Sequence, residues 1–315
     1  MPASFGHLWR ERLSRLSIYG DFWIRLLSLG ARVTPWFLEP LLILIHSGLF
    51  YLACHPARRA LLANLRVLHP ADSAPRRHGR ALKVIWNFAW SLTDAAHVRS
   101  GHSVIDWEIE GLQHLNQLSE IPTGVIILTA HMGNYDLAAP LFASRLKRQL
   151  HMVRAPERHH QSQAYAVRQR DKLASEWCVI HYNEPGNMLA IKLASLLKEN
   201  QIVAIQGDRI LFDVSATTLP FSPQQDWRLP RGPFLLGLVS RCPIVPLFIT
   251  RSGWRRYRIT AHPPYQWPEG RLEKDAALRH SEHWWSGLLA EVVRRHWDQW
   301  FVFEPAFSPA ATAQS

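Results

Sequence analysis

Cysteine is scarce in this chain. Its three cysteines, Cys54, Cys178 and Cys242, are widely separated within 315 residues. They form neither the spacing of a disulfide framework nor that of a zinc site, so the simple inference is a reducing compartment. A cleavable secretory signal is not expected either, because the stretch from Trp9 to Leu16 is too charged for an apolar core and no small-residue cleavage site follows it.

Acidic residues are also few. The chain has 25 Asp and Glu against 36 Lys and Arg, a formal net charge of +11. A basic surface implies an acidic partner, which is nucleic acid, an anionic lipid surface or an acidic carrier protein. No helix-turn-helix, zinc-finger or aromatic–basic RNA motif occurs, so we expect no nucleic acid partner. The 14 Trp, together with the many Arg, favour an anionic membrane surface.

The chain lacks an uninterrupted apolar run of the roughly 20 residues that a spanning helix requires. The segments Phe22–Leu29 and Pro35–Cys54 are apolar and aromatic, but Glu39, Pro40 and His46 interrupt the second. We therefore expect a helical, membrane-associated segment over residues 1–100, with its basic flanks against the cytoplasmic leaflet. An ordinary buried helix pair is the alternative, and the pattern leaves open whether the segment spans the bilayer.

The remaining pattern predicts an α/β protein. Helical spacing recurs over Arg58–Leu65 and Arg77–Val98, and short apolar strands then alternate with amphipathic helices. We predict a mixed, mainly parallel sheet flanked by helices over residues 101–305, and a disordered tail at 306–315. Strands are expected at Val125–Thr129, Leu150–Val153, Val179–His181, Ile202–Ile205, Ile244–Thr250 and Arg256–Ala261, and helices at Gln161–Trp177, Asn187–Lys198, Arg231–Ser240 and Lys274–Trp297.

The first of these strands ends at a histidine. Branched apolar residues run from Val125 to Thr129, and His131 follows at the carboxyl end, where α/β sheets present their ligand-binding and catalytic groups. A Gly-Asn turn comes next, in which Gly133 and Asn134 let the chain turn tightly, and we expect Asn134 to contact the substrate. Asp136 then falls in the first turn of the following helix. Its carboxylate could orient the imidazole and leave the other ring nitrogen free as a base. The alternative is an ordinary first-turn acid.

Other strand and helix ends carry charged residues. Arg154 could hold a phosphate or could pair with Glu157 on the surface. Asp208 and Arg209 close a later strand, so they should line the same cleft as His131, as ligand contacts or as a structural ion pair. Arg231 and Gly232 begin a helix, which is a ready anion site or a plain turn.

We expect no metal site. His159 and His160 are adjacent, with His151 nearby, but adjacent histidines do not easily bind one ion. They are interpreted as solvated loop residues.

The order of these features resembles that of the lysophospholipid acyltransferase superfamily, and within it the late lipid A acyltransferase-like branch. The matching positions are His131 and Asp136 for an H-x-x-x-x-D motif, Arg58-Arg59 with Asn64-Leu65 and Pro70, Arg154, Gly207-Asp208-Arg209, Arg231-Gly232-Pro233 and Val245-Pro246. The similarity covers roughly residues 22–303. Many lipid A enzymes have Glu at the position of Asp136 and Asp-Gln-Asp at the position of Gly207–Arg209. The Gly-Asp-Arg turn and the Trp297–Phe301 ending look more like acyltransferases of aryl polyene and related glycolipid pathways.

The resemblance implies an O-acyltransferase at the cytoplasmic face of a bacterial-type inner membrane. His131 would deprotonate a hydroxyl of a membrane lipid or glycolipid while that oxygen attacks an acyl thioester, and Asp136 would orient the ring. The donor would be acyl carrier protein (ACP) or coenzyme A bearing the acyl chain, and no cofactor is required. The basic runs Arg168–Lys172 and Trp254–Arg258 could dock an acidic carrier or anionic lipid, or could be solvated faces.

Two other function classes stay open. A lipid or thioester hydrolase would use water in the same cleft, although no G-x-S-x-G nucleophile motif occurs. A non-enzymatic basic protein that binds membranes or nucleic acid would use His131 and Asp136 only structurally.

Overall fold

A computed structural model of the chain describes residues 26, 27, 29, 30, 33–99, 101, 104–138, 147–154, 178–184, 188–210, 214–268 and 273–310. Several expectations lie outside these ranges: most of the segment Phe22–Leu29, the helix Gln161–Trp177 with its basic run Arg168–Lys172, the residues Glu157, His159 and His160, and Asn187 as a helix cap. The chain divides into two compact units. One holds residues 1–105, 156–174 and 303–305, and the other holds 106–155, 175–302 and 306–315.

The first unit is helical. Its described helices are α1 (Glu39–Ala53), α2 (His55–Leu68) and α3 (Ala74–Arg99), and a short 3-10 turn at Trp36–Leu38 precedes α1. Proline in the first turn begins both α1 and α2, where its missing N–H costs no hydrogen bond. Helix α1 lies antiparallel along α3, since Glu39 pairs with His97 at 2.9 Å near one end and Tyr51 contacts His78 near the other. The two helices predicted after the apolar segment are confirmed.

Helix α1 has two contrasting faces. Glu39, Ile43, His46, Ser47 and Phe50 are buried. The opposite side presents large apolar residues that are 49% to 64% exposed, namely Leu41, Leu44, Ile45, Leu49 and Leu52. Such a contiguous exposed apolar face is unusual for a helix of a soluble domain. Among the described helices, the stretch Trp36–Ala53 is the one long and apolar enough, by length and composition, to cross a membrane.

The second unit is built on a seven-stranded sheet. Its strands are β1 (Asp106–Glu110), β2 (Val125–Thr129), β3 (Leu150–Arg154), β4 (Cys178–Tyr182), β5 (Ile202–Gln206), β8 (Ile244–Gly253) and β9 (Arg256–Ala261). They lie in the order β1-β9-β8-β2-β5-β3-β4. The pairs are parallel except the β8–β9 hairpin, which is antiparallel. The predicted mixed, mainly parallel sheet is therefore confirmed.

Helices accompany the sheet along the chain. They are α4 (Leu112–Glu120), α5 (Leu189–Lys198), α6 (Gly232–Ser240) and α7 (Lys274–Arg295). Strand β2 is buried along its whole length, as expected for a central strand of an α/β fold. Helix α7 supplies the fully buried Trp285, which stacks on Phe248 of β8 with 5.6 Å between ring centroids.

A smaller antiparallel sheet was not anticipated. It consists of β6 (Ala216–Ser222), β7 (Gln225–Pro230) and β10 (Phe307–Pro309). The expectation of a disordered tail from residue 306 is therefore wrong for β10, whose residues pair with β7. The physical reason is aromatic packing, because the Phe307 ring lies 4.6 Å from that of Phe221 and stacks on Trp227.

Candidate active site

The turn after β2 fixes the position of His131. Gly133 has φ +53°, and a Cβ there would lie 2.3 Å from the carbonyl oxygen of Ile249 on β8. Only glycine fits such a left-handed position against neighbouring backbone. Residues 135–138 are helical, and the carbonyl of Asn134 accepts the first helical hydrogen bonds from Leu137 and Ala138. The predicted strand–turn–helix arrangement is thus present.

The partner of the His131 imidazole is Asp208. Strands β2 and β5 are parallel neighbours in which Thr129 pairs with Gln206, so His131 and Asp208 each lie two residues beyond a paired position. Asp208 Oδ1 lies 2.6 Å from His131 Nδ1, and the backbone N–H of His131 donates to Oδ2 at 2.9 Å. Two contacts from one carboxylate therefore hold both the ring and the backbone of the histidine.

Asp208 is buried and anionic. Burial raises the pKa of its carboxyl, but the charge of His131, the two hydrogen bonds from that residue and the charge of Arg209 more than offset this and hold the pKa below its usual range. The indole N–H of Trp300 donates a further hydrogen bond to Oδ2 at 2.9 Å. A buried carboxylate with this set of donors remains ionised at neutral pH.

Close packing keeps Asp208 in place. A Cβ on Gly207 would lie 2.7 Å from the Leu128 side chain and 3.1 Å from Trp285 Nε1, so the glycine lets the strand end pass between them. The Gly207 carbonyl accepts a hydrogen bond from Trp285 Nε1 at 2.8 Å, and its N–H donates to the Thr129 carbonyl at 2.8 Å. The acid therefore follows a rigid segment tied to both β2 and α7.

The two ring nitrogens of His131 have different surroundings in the part of the chain that the structure describes. The side chain is 13% exposed, and its hydrogen bond to Asp208 uses Nδ1. Within the described parts of the chain, no hydrogen bond engages Nε2. The Tyr135 ring meets the imidazole edge-to-face at 6.2 Å. With Nδ1–H donated to a carboxylate, Nε2 is the unprotonated nitrogen of the neutral ring.

The expected contact between Asp136 and His131 is absent from the described structure, and this expectation is wrong. The Asp136 carboxylate instead pairs with the guanidinium of Arg154 at the end of β3. The physical reason is twofold: Asp208 already occupies Nδ1, and Arg154 offers Asp136 an opposite charge. The Asp136 charge, together with Tyr135 and Tyr182, outweighs burial and raises the pKa of Arg154. The alternative pairing with Glu157 lies outside the described residues.

Tyr135 and Gln206 lie beside this ion pair, and the sequence pattern did not single them out. Burial and the Asp136 charge raise the pKa of the Tyr135 hydroxyl, although Arg154, a side-chain hydrogen bond with Gln206 and the charge of Arg209 act against this shift. Gln206 ends β5, immediately before the Gly-Asp-Arg turn. The ends of β2, β5 and β3 thus bring His131, Asp208, Arg209 and Arg154 to one edge of the sheet. The sequence pattern predicted this neighbourhood for His131, Asp208 and Arg209 but not for Arg154.

Arg231 and Gly232 have a different setting. Arg231 Nε donates to Glu282 Oε1 of α7 at 2.8 Å, and that glutamate is 2% exposed. A Cβ on Gly232 would meet nothing within 4 Å, so no close backbone approach requires glycine there. No contact in the described structure joins either residue to His131. The arginine braces α6 against α7.

The basic run at the β8–β9 hairpin is largely neutralised. Arg256 pairs with Asp106 at 2.8 Å, and Arg258 pairs with Glu108 at 3.0 Å and Glu110 at 3.2 Å across to β1.

In the described residues no group of three His, Cys, Asp or Glu could hold a metal ion. His151 lies in the predicted strand β3 and is buried there, and its Nδ1 lies 3.0 Å from Nε2 of His181 on β4.

The sequence model of the bacterial lipid A biosynthesis acyltransferase family matches residues 14–308. The chain therefore belongs to this acyltransferase family, and the resemblance read from its motifs is confirmed. No curated protein matches the chain significantly. Among solved structures it is similar to the 1-acyl-sn-glycerophosphate (LPA) acyltransferase PlsC of Thermotoga maritima, with 12% identity, coverage of 81% of this chain and 97% of that one, and a TM-score of 0.35.

Proposed function

We propose that this acyltransferase moves a fatty acyl chain from an acyl thioester, carried by ACP or coenzyme A, to a hydroxyl of a membrane lipid or glycolipid. The observation that carries the proposal is the His131–Asp208 pair, which holds Nδ1 at 2.6 Å while no described residue bonds to Nε2. This arrangement suits general-base removal of a proton from an alcohol.

The reaction balances without a cofactor. Nε2 of His131 takes the acceptor hydroxyl proton as the oxygen forms a bond to the thioester carbonyl carbon. The C–S bond then breaks, and the imidazolium returns the proton to the departing thiolate. Asp208 acts as a positioning residue, because its buried negative charge selects the tautomer with a proton on Nδ1 and stabilises the imidazolium.

Arg154 and Arg209 supply positive charge at the same edge of the sheet. A guanidinium is well suited to bind a phosphate of the acceptor or of the donor's phosphopantetheine group. In this proposal Asp136 is a second positioning residue, which holds Arg154 at the mouth of the site through their ion pair. Asn134, which is buried in the turn between His131 and Asp136, would be an acceptor contact in this proposal.

The exposed face of α1 supports a membrane-associated enzyme. Leu41, Leu44, Ile45, Leu49 and Leu52 form one helical stripe, and Trp36 and Phe37 extend it at 69% and 61% exposure. The opposite face of α1 is buried and includes the polar Glu39, His46 and Ser47. A helix with one lipid-facing stripe and one protein-facing stripe fits a position in the bilayer surface, on the cytoplasmic side of the inner membrane in this proposal.

The test is acyl transfer by detergent-solubilised protein, wild type beside His131→Ala. Acyl-ACP and acyl-coenzyme A are offered separately with a total lipid extract, and products are identified by mass spectrometry. An acylated lipid formed by wild type and lost in His131→Ala supports the proposal and identifies donor and acceptor. Free fatty acid as the sole product indicates a hydrolase. Full activity of His131→Ala eliminates the mechanism.

A further inference from the structure

Trp300 contacts the catalytic pair from the far end of the chain. It follows the 3-10 turn Trp297–Gln299, is 3% exposed, and donates its indole N–H to Asp208 Oδ2 at 2.9 Å. Its backbone forms an antiparallel bridge with Met132, and the next N–H, that of Phe301, donates to the His131 carbonyl at 2.8 Å. The segment thus contacts both partners of the pair.

The same segment is anchored on β8. The Gln299 side chain accepts from the Arg251 N–H at 2.6 Å and donates to the Arg251 carbonyl at 2.9 Å. The side-chain amide of Gln299 thus pairs with both backbone groups of Arg251, as a neighbouring strand would. Trp300 is therefore held from one side by β8 and from the other by the His131 turn, and its N–H reaches Asp208 from a fixed position.

We infer that Trp300 is a positioning residue for the His131 base and acts through Asp208. The indole N–H and the His131 N–H together satisfy Oδ2 of Asp208, which leaves Oδ1 directed at Nδ1. Without the indole, Oδ2 loses a buried donor and the carboxylate is free to rotate away from the ring. This inference rests on the proposed function and adds a residue to it.

The effect of removing the Trp300 indole depends on the charged groups around Asp208. Within the described residues, the charged groups acting on the carboxylate are His131 at the end of β2 and the adjacent Arg209, while Trp300 contributes an uncharged donor. Without that donor the carboxylate is held less firmly against the ring, and it stabilises the imidazolium less. The acid limb of the kcat/KM profile should therefore move to lower pH.

The experiment compares Trp300→Phe with Trp227→Phe. Trp227 is a matched control, because it is 1% exposed and donates its indole N–H at 2.9 Å to Ser286, away from Asp208. Trp300→Phe should lower kcat about 10- to 100-fold, as expected for the loss of a hydrogen bond to a charged group, with KM changed less than about threefold. Trp227→Phe should affect thermal stability but neither kcat nor the pH profile.

A double variant locates the effect. Adding Trp300→Phe to Asp208→Asn should lower kcat little further, because the indole acts through the carboxylate. Wild-type kcat and pH profile in folded Trp300→Phe, or additive losses in the double variant, overturn the inference while His131→Ala remains inactive. Full activity of His131→Ala overturns the proposed function and this role together.

A second variant serves if Trp300→Phe does not fold. Trp300→His keeps a ring N–H, so it should retain kcat within about tenfold of wild type and an unshifted acid limb. A folded Trp300→His with a larger loss and a shifted limb supports a requirement for the indole geometry itself. A folded Trp300→His that loses more than about tenfold in kcat while its acid limb stays unshifted overturns the inference.

Discussion

The Asp136 carboxylate forms an ion pair with the Arg154 guanidinium, and their side chains are 23% and 28% exposed. Asp208, whose side chain is 0% exposed, holds the imidazole instead. The two acids therefore have separate partners: the buried Asp208 contacts the His131 ring, and the more exposed Asp136 contacts the Arg154 guanidinium. Substitutions of Asp208 and of Asp136 should therefore affect different kinetic constants.

We expect Asp208→Asn to lower kcat by two to four orders of magnitude with little change in KM, the range spanned by general-base catalysis. Asparagine has the shape of aspartate but does not stabilise an imidazolium. Asp136→Asn should mainly raise KM, because Arg154 loses the partner that positions it. Steady-state kinetics on both variants measure kcat and KM separately. A loss of kcat in Asp136→Asn as deep as in His131→Ala, with Asp208→Asn active, would mean that Asp136 orients the base.

The second prediction concerns Gly133, the glycine in the turn that carries His131. Gly133→Ala places a Cβ 2.3 Å from the Ile249 carbonyl at φ +53°. The strain should cost about 1–3 kcal/mol of unfolding free energy and displace His131, so activity should fall with stability. Gly232→Ala is the control, because its Cβ meets nothing within 4 Å and alanine should stabilise by about 0.4–1 kcal/mol. Denaturant unfolding and kcat measure both. An inactive but stable Gly232→Ala would restore the role first predicted for that glycine, close approach to a ligand.

The sequence predicted the strand ends that form the site but not which side chains pair. His131 and Asp136 are close along the chain, and local spacing favoured that pair. His131 and Asp208 are 77 residues apart and meet because β5 lies next to β2, with two strands between them in sequence. Strand order in a parallel sheet depends on how the crossovers pack, and single-strand patterns carry no record of it.

The small sheet was missed for a related reason. Strands β6 and β7 carry prolines and polar residues that obscure alternation, and β10, which pairs with β7, lies about eighty residues further along the chain. The tryptophan count indicated a membrane interface, yet Trp227, Trp285 and Trp300 are buried in the second unit. Indole rings serve both environments, so composition alone does not separate them.

The paired histidines of β3 and β4 predict a pH-dependent stability. Burial, then the charges of Lys192 and His151, lower the pKa of His181 to about 4. A lowered histidine pKa means that the unfolded chain binds the proton more readily, so the stability from the neutral pair is fully present above about pH 6.5. It is lost as the pH falls from there towards 4. In a plot of unfolding free energy against pH, His181→Gln should reduce the slope between about pH 4 and 6.5. His283→Gln, at an exposed position, should leave that slope unchanged. Equal curves for wild type and His181→Gln between pH 4 and 6.5 would contradict the prediction.

The apolar stripe of α1 gives the last prediction, in which membrane binding is separated from catalysis. Leu44 and Leu49 are 59% and 49% exposed, so replacing both with Glu leaves the protein core intact. Burying each leucine in lipid is worth about 1.5–3 kcal/mol, and an added carboxylate is repelled by anionic headgroups. Leu44→Glu with Leu49→Glu should therefore weaken binding to phosphatidylglycerol-containing vesicles at least tenfold in a flotation assay.

Ile191→Glu is the matched control, because this residue of α5 is 63% exposed in the second unit. It should bind vesicles like wild type. In detergent, with a soluble thioester and a short-chain acceptor, the α1 double variant should keep its kcat, since none of the groups around His131 has changed. If the double variant binds vesicles as tightly as wild type, the stripe is not the membrane contact. If its kcat in detergent collapses while the fold is retained, α1 contributes to the site rather than to the membrane. The two readouts distinguish an anchor from a part of the catalytic machinery.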